Sequence, residues 1–349
     1  MLGTIRLLLA LAVAASHAKV LVAGLNPGVI AVVCFYLISG YVMAGLMQRH
    51  YSHASQAPAF YLDRAIRLLP QYLFYCGMTL AWHFFSSVAT PFLIRSPGAV
   101  DLLNNLFIVP LNYYMFNASD QYTLVPPAWS LGAEIQFYLI APVLLLQPKR
   151  LWGVGLLSIC VYVAALFGLL NSEWFGYRLI PGVLFMFALG AGLQHFHQQV
   201  SSVAARHLTI AVVLAAAIAL GLLQLNGLLH QPYSFETLLG LIIGMTLLHT
   251  LAQRRPATSA KSANLAKCTK WDTLAGDISY GVFLNHFFII WTLYPNGVDA
   301  SQIPIFLTIC FALSLVSQRL VEQPLLKLRH RFRKSRNKLP QGDIVKISG

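Results

Sequence analysis

Long runs of apolar residues follow one another along almost the whole chain, and they constrain its fold more than any other feature. An α-helix rises about 1.5 Å per residue, so a run of roughly 20 apolar residues spans a hydrocarbon core about 30 Å thick. Of the 349 residues, 57% are hydrophobic and only 10% are charged, which is more apolar surface than a soluble fold of this length buries. The sequence therefore predicts an all-α integral membrane protein.

The apolar runs predict about ten transmembrane helices. They lie at 5–24, 28–47, 69–90, 129–146, 151–170, 179–197, 208–225, 236–252, 272–292 and 302–321. Segment 101–128 is apolar only in patches and is broken by asparagines and prolines, so we expect a short or re-entrant helix outside the membrane. This segment is either a lid or acceptor-binding loop, or an ordinary connection.

Basic residues concentrate in the loops that share a side with the N-terminus, and the positive-inside rule then predicts that both termini are cytoplasmic. We expect residues 1–328 to form one membrane domain and residues 329–349 to form a basic cytosolic tail. The net charge of +13 reflects topology and attraction to anionic membrane lipids. Nucleic-acid binding is not expected, because the basic residues border spans and form no folded basic domain.

The first span carries two ionisable side chains, Arg6 and His17, and such groups at membrane depth usually belong to a site or a pathway. Their separation of eleven residues returns a helix to within about 20° of the same face and about 16 Å along its axis. With Arg6 near the cytoplasmic surface, His17 lies close to mid-membrane, where an imidazole can act as general base towards a hydroxyl. The competing interpretation is a signal peptide cleaved at Ser16–Ala18.

Polar groups in the next spans allow a functional and a structural interpretation. Arg64 and Arg67, at an i,i+3 spacing, suit a phosphate-rich ligand, although positive-inside anchoring explains them equally well. Glu134 is the lone acid of its apolar helix, and a buried carboxylate needs a partner such as arginine or histidine. Ser39 and Gly40 are also typical of close helix packing.

The ninth predicted span, 272–292, places Asp277, Ser279, Tyr280, Asn285 and His286 on an otherwise apolar helix. For His286 a hydrogen-bonded structural role is as good an interpretation as a place in a substrate pocket. The five cysteines are scattered without the spacing of a metal site or a disulfide framework, so no metal is expected.

Together these stretches resemble, in chain order, the acyltransferase-3 family of integral membrane O-acyltransferases, which includes glycan O-acetylases. The resemblance covers residues 3 to about 328. The matching residues are Arg6 and His17 (Arg-x10-His), Phe35, Tyr36, Ser39 and Gly40 (aromatic-x-x-Ser-Gly), Arg64, Arg67 and Pro70 (Arg-x-x-Arg-x-x-Pro), Trp129, Ser130, Leu131, Glu134, Gln136, Phe137 and Tyr138 (Trp-Ser-Leu-x-x-Glu-x-Gln-Phe-Tyr), Ser279, Tyr280 and His286 (Ser-Tyr-x5-His), and Glu322 with Pro324 (Glu-x-Pro).

The resemblance implies transfer of an acyl group, most often acetyl from acetyl-CoA, to a hydroxyl of a sugar or related acceptor, as in O-acetylation of polysaccharides. It implies a bacterial inner membrane. The residues it assigns fall into three sets: His17, Arg6 and Glu134 for catalysis; Arg64, Arg67, Ser39 and Gly40 for the acyl-CoA; and Trp129, Ser130, Tyr280 and His286 for the substrate pocket. In the catalytic set, His17 deprotonates the acceptor or briefly carries the acyl group, while Arg6 orients the donor or pairs with Glu134.

The sequence departs from the family pattern at Ile135, which replaces an acid often found after Glu134. We also expect a stand-alone member, because no soluble esterase-like domain follows the tenth predicted span. The alternative function is a proton-coupled transporter, since ten spans with ionisable groups at depth would suit a proton relay. Spans one to five and six to ten show no internal repeat, which counts against that alternative.

Overall fold

The computed structural model describes residues 1–86, 88, 90–253 and 263–325, with no side chains described for 263–268. This part of the chain forms twelve α-helices and contains isolated β-bridges but no named strand. The helices are α1 (Leu2–His17), α2 (Pro27–His50), α3 (Ala57–Phe85), α4 (Ala99–Phe107), α5 (Tyr114–Asn117), α6 (Ala128–Leu145), α7 (Pro148–Leu166), α8 (Ile180–His195), α9 (Ser202–Leu225), α10 (Ser234–Gln253), α11 (Ala263–Leu293) and α12 (Ile303–Ser317). The predicted tail, 329–349, lies outside the described residues.

Within the described residues, eight helical segments are long and apolar enough to cross a membrane. They are Pro27–His50, Ala128–Leu145, Pro148–Leu166, Trp174–Val200, Ser202–Leu225, Ser234–Gln253, Thr269–Leu293 and Ala300–Leu325. These segments confirm the predicted all-α membrane fold. The two other predicted spans coincide with α1, which has 16 residues, and with α3, whose first half carries charged groups. The number of ten spans and the side of each terminus stay predictions.

One predicted helix boundary was wrong in a way that matters for the site. The first span was expected to reach residue 24, but α1 ends at His17, two residues before Lys19 adopts a positive φ angle of 65°. His17 is therefore the last residue of its helix. Helix α3 begins at Ala57, with a proline in its first turn, so the helix starts twelve residues before the predicted third span. Arg64 and Arg67 lie inside this helix, in keeping with their i,i+3 spacing.

Helices α2 and α8 belong to the two most buried of the eight segments, and they pack closely against each other. A Cβ atom added at Gly40 would lie 1.9 Å from the carbonyl oxygen of Phe187, and one added at Gly190 would lie 1.9 Å from that of Leu37. Each glycine thus lets the backbone of the opposite helix approach closely, as small residues do between membrane helices. The structure therefore gives Gly40 a packing role.

Helix α1 is fixed against α11 by Asp272. The Asp272 carboxylate accepts hydrogen bonds from the backbone amides of Gly3 (3.2 Å) and Thr4 (2.9 Å) and pairs with the Met1 amino group at 2.5 Å. A carboxylate at a helix N-terminus satisfies free amide groups and interacts favourably with the helix dipole. This contact sets the position of α1, and with it the positions of Arg6 and His17.

The segment predicted to be a non-spanning connection contains the short helices α4 and α5. Asn105 holds it together: its side chain donates to the carbonyl groups of Asp101 (2.9 Å) and Tyr122 (3.0 Å) and accepts from the amide of Leu124 (2.8 Å). The Tyr72 hydroxyl of α3 donates to the Asn105 carbonyl at 2.6 Å. The connection is therefore an ordered structure tied to α3, and residues 111–127 supply one wall of a cavity.

Candidate functional site

Three adjoining cavities run through the helix bundle past most of the predicted site residues. The first, here called the arginine cavity, has a volume of about 110 Å³. The second, the histidine cavity, has about 60 Å³, and the third, the aromatic cavity, about 260 Å³. Val32, Ser130 and Phe283 line both the first and the second. His17, Trp129 and Arg178 line both the second and the third. The cavities therefore form one series.

The arginine cavity gathers side chains from α1, α2, α3, α6 and α11. The predicted site residues on its wall are Arg6, Ser39, Arg64, Arg67, Ser130, Glu134 and Tyr280. Gly40 is not among them, because it lies against α8. The structure thus brings together residues that are up to 274 positions apart in the sequence.

Arg64 and Arg67 are each held by carboxylates. The Arg64 guanidinium contacts Asp63 Oδ2 from Nε at 3.1 Å and from Nη2 at 2.5 Å, and Arg64 is 8% exposed. Arg67 pairs with Asp277 at 3.3 Å and, through Nη1, with Glu322, which is 3% exposed. Ion pairing of buried charges offsets their desolvation. The two arginines predicted to bind phosphate are thus largely neutralised by acids on α3, α11 and the turn after α12.

Arg6 differs from its two neighbours in the arginine cavity. It makes no ion pair with a described residue, and its buried Nε atom has no hydrogen-bond partner among them. A guanidinium presents five N–H donors, so Arg6 retains donors for a ligand.

The structure corrects the expectation that Glu134 pairs with Arg6 or another basic group. Ser39 Oγ donates to Glu134 Oε1 at 2.6 Å, and the Tyr138 hydroxyl donates to the same oxygen. Tyr138 lies four residues on, one turn along the same helical face, so it reaches the carboxylate without distortion. Two hydroxyl donors therefore satisfy the acid, and no carboxylate of a described residue pairs with Arg6.

His17 lies at the junction of the histidine and aromatic cavities, to which it presents exposed side-chain surface. Its ring stacks on that of His286 with centroids 5.1 Å apart and an interplanar angle of 14°, and it contacts Phe287 at 4.7 Å. His286 is fully buried, and its Nδ1 lies 3.2 Å from the Val282 carbonyl oxygen. Because Nδ1 then carries the proton, Nε2 is a free acceptor without a described partner.

Arg178 is a functional candidate that the sequence motifs did not indicate. Its guanidinium lies over the Trp129 ring at 4.3 Å from the centroid, and over Tyr114 at 5.2 Å and Tyr177 at 5.5 Å. The sequence signal for it was its position in the aromatic stretch Trp174–Arg178, because burying a cation there costs free energy unless it has partners.

The comparison with family models decides the class of protein. The model of the acyltransferase domain, Acyl_transf_3, matches residues 2–317. The chain belongs to the acyltransferase-3 family. The resemblance seen in the sequence motifs is thereby confirmed, and the protein is a multi-pass membrane O-acyltransferase. Family membership favours the acyltransferase over the transporter alternative.

Two relatives of this acyltransferase illustrate the breadth of the family. An uncharacterized protein of Aquifex aeolicus is 36% identical over 212 residues, which cover 59% of this chain and 90% of that protein. The peptidoglycan O-acetyltransferase OatA of Listeria monocytogenes is 25% identical over 332 residues, covering 86% of this chain and 51% of the Listeria protein. The chain thus spans about half the length of OatA. No solved structure matches this acyltransferase.

The remaining predicted pocket residues of the acyltransferase have defined positions. Ser130 lies between the arginine and histidine cavities and donates to the Pro127 carbonyl at 3.0 Å. The Tyr280 hydroxyl donates to the Leu68 carbonyl at 3.0 Å, which ties α11 to α3. Within the described part of the chain, no group of three or more His, Cys, Asp or Glu side chains could hold a metal ion.

Proposed function

We propose that this acyltransferase moves an acyl group, acetyl in the first instance, from cytosolic acyl-CoA to a hydroxyl of a sugar or glycan acceptor. The observation that carries the proposal is the series of cavities from the arginine cavity, past His17, to the aromatic cavity. A donor can approach His17 from one end and an acceptor from the other. Of the residues that the resemblance assigns to acyl-CoA, Ser39, Arg64 and Arg67 lie at the first end. Of the substrate-pocket residues, Trp129 lies at the second end, while Ser130 and Tyr280 line the first.

The donor end is the arginine cavity. Coenzyme A is anionic and suits guanidinium groups, which bind phosphate oxygens bidentately. Arg6 has free donors, while Arg64 and Arg67 offer only the N–H groups that Asp63, Asp277 and Glu322 leave open. We therefore assign Arg6 to a phosphate of the acyl-CoA, with Arg64 and Arg67 shaping the site, while the thioester end of the donor extends towards His17. The hydroxyls of Ser39 and Tyr138 are already engaged by Glu134, which makes Glu134 an organiser of this wall.

The chemistry begins at His17. Its imidazole takes the proton of an acceptor hydroxyl while the hydroxyl oxygen attacks the thioester carbonyl carbon. The tetrahedral intermediate then collapses, the C–S bond breaks, and the thiolate of CoA leaves and takes up the proton. An acyl-histidine intermediate would use the same imidazole as nucleophile and split the transfer into two steps. In both routes His286, stacked on the ring, orients His17.

We further propose a bacterial inner membrane location with the arginine cavity facing the cytoplasm. Arg49 lies in the last turn of α2, and Arg64 and Arg67 lie in the first half of α3. The positive-inside rule assigns such a basic stretch to the cytosol. In this arrangement residues 1–328 form the catalytic domain and the basic tail 329–349 is cytosolic. The name of the Listeria relative, a peptidoglycan O-acetyltransferase, supports a glycan acceptor.

The proposal is tested by acetyl-CoA turnover of the purified protein in lipid nanodiscs. We expect release of free CoA that requires a mixed glycan acceptor and that disappears in His17→Ala. The matched control is His207→Ala, because His207 is an exposed histidine of α9 that lines none of the three cavities. Acceptor-independent release that is equal in wild type and His17→Ala would contradict the proposal.

A further inference from the structure

Arg178 is fixed along one edge of its guanidinium and open along the other. Nε and Nη2 contact Glu173 Oε1 at 3.0 and 2.8 Å, whereas Nη1 makes no hydrogen bond or ion pair with a described residue. The side chain lines the histidine and aromatic cavities, as His17 does. Arg178 Nη1 is thus a hydrogen-bond donor that is held in place and faces the same cavities as the proposed general base, His17, so it is well placed to bind a reactant.

A second contact immobilises the Glu173 carboxylate. The Tyr114 hydroxyl donates to Glu173 Oε1 at 3.0 Å. Burial raises the pKa of Tyr114 to about 12, so the phenol keeps its proton and remains a donor at neutral pH. The carboxylate oxygen thus accepts from both Tyr114 and Arg178, while the Trp129 ring supports the guanidinium from one face. Arg178 is therefore positioned before any ligand arrives.

The charges around the aromatic cavity indicate what it binds. Glu173 balances Arg178, and Asp120 adds a negative charge to the cavity wall. The surroundings are otherwise mainly apolar and aromatic: Phe92, Leu111, Tyr114, Pro126, Pro127, Trp129 and Phe287. An anionic ligand would meet Asp120 without a free positive charge to match it. A neutral ring with hydroxyl groups can place its apolar face on an aromatic side chain and accept from Nη1.

We propose that Arg178 is an acceptor-binding residue, and that the aromatic cavity takes a neutral, hydroxyl-bearing sugar ring rather than an anionic sugar. Nη1 donates to a ring or hydroxyl oxygen and holds the reacting hydroxyl next to His17. This inference rests on the proposed function, because it assigns the acceptor to the end of the cavity series away from Arg6. It adds two points to the proposed function: the acceptor ring is neutral, and Arg178, which lies outside the matched motifs, binds it.

The first test measures binding without catalysis. Saturation-transfer NMR on the protein in nanodiscs, without donor, compares two probes of nearly equal size, methyl β-D-glucopyranoside and methyl β-D-glucuronide. We expect the neutral glucoside to bind more tightly than the glucuronide, and its affinity to fall about tenfold in Arg178→Ala, as for loss of a hydrogen bond to a charged group. Tighter binding of the glucuronide, no binding of the glucoside, or unchanged affinity in Arg178→Ala would overturn the inference.

The matched control is Arg95→Ala. Arg95 also pairs with a single acid, Asp101, at 2.8 Å, but it lines none of the three cavities. We expect glucoside affinity in Arg95→Ala to equal that of wild type. An equal loss of glucoside affinity in both variants would show a general effect of removing a positive charge and would overturn the role of Arg178.

Kinetics separate this inference from the proposed function. With acetyl-CoA as donor, we expect Arg178→Ala to raise the KM for the acceptor about tenfold and to leave the KM for acetyl-CoA unchanged. Arg178→Lys should rescue part of this loss, because an ammonium keeps the charge but lacks the fork that contacts Glu173. If the glucoside binds as expected but wild type transfers no acetyl group, the acceptor subsite stands and the proposed function fails. If His17-dependent transfer occurs but Arg178→Ala leaves the acceptor KM unchanged, the proposed function stands and the role of Arg178 in acceptor binding fails.

Discussion

The arginine cavity and the aromatic cavity hold most of their arginines in different ways. In the first, Arg64 and Arg67 are engaged by Asp63, Asp277 and Glu322, and Arg6 alone of the three has no ion pair with a described residue. In the second, Arg178 is clamped along one edge only and keeps Nη1 for a ligand. The comparison shows that the function of an arginine in a membrane site can be inferred only when its carboxylate partners are known.

The two cavities also differ in how they are built. The arginine cavity is lined by five long helices, whose residues lie in short, ordered motifs. The aromatic cavity is completed by the connection between α3 and α6 and by the turn Trp174–Arg178. We infer that the donor end requires a rigid, charge-balanced bundle, while the acceptor end can vary through its connecting segments.

The largest expected effect is a loss of stability of the folded protein when an ion pair of the arginine cavity is broken. Arg67→Ala leaves Glu322 buried without its cation, and removal of one partner of a buried ion pair costs about 3–5 kcal/mol. We expect a large fall in the thermal unfolding temperature of the protein in nanodiscs. Arg206→Ala is the control, because Arg206 is exposed on α9.

The double variant Arg67→Met with Glu322→Leu sharpens this result. Replacing a buried ion pair by apolar residues is often neutral for stability. We expect the double variant to recover much of the unfolding temperature lost in Arg67→Ala. A double variant as unstable as the sum of the two single variants would show that the pair is not the reason for the loss.

The next effect distinguishes packing from ligand binding at Gly40. A methyl group there would meet the Phe187 carbonyl oxygen at 1.9 Å, and overpacking of a core costs about 1–3 kcal/mol. We expect Gly40→Ala to lower stability while the KM for acetyl-CoA of the folded fraction stays unchanged. Gly221→Ala is the control, since a Cβ at Gly221 would meet nothing within 4 Å. A raised KM at unchanged stability would instead assign Gly40 to the acyl-CoA site.

The smallest effect concerns the support of Arg178. Tyr114→Phe removes the hydrogen bond to Glu173 and keeps the ring beneath the guanidinium. Loss of such a bond costs about 1 kcal/mol, so we expect the acceptor KM to rise about fivefold in steady-state assays. The KM for acetyl-CoA should not move. An effect on the donor KM alone would contradict the separation of the two ends.

Much of the fold was predictable, because apolar runs of membrane-spanning length fix where the long helices lie. The gathering of Arg6, Ser39, Arg64 and Glu134 was also predictable, through the ordered motifs. The end of α1 was not, since the apolar run continues past His17, whereas the helix ends there, two residues before the positive φ angle of Lys19.

The partners of the charged groups were the least predictable part of the site. Glu134 is satisfied by Ser39 and Tyr138, and helical spacing indicates only the second of these. Arg178 depends on Glu173, which lies five residues before it, and on Trp129 and Tyr114, which come from other segments with no shared periodicity. Side-chain partners between distant segments follow from tertiary packing, which a single sequence does not display.

In the proposed function, His17 connects a donor cavity to an acceptor cavity across the bundle. The most direct test uses sealed proteoliposomes with radiolabelled acetyl-CoA outside and the glycan acceptor enclosed. We predict that label appears on the enclosed acceptor with wild-type protein and not with His17→Ala. If wild type labels the acceptor only when donor and acceptor share one side of the membrane, the cavity series is not the path of the acetyl group and the account is wrong.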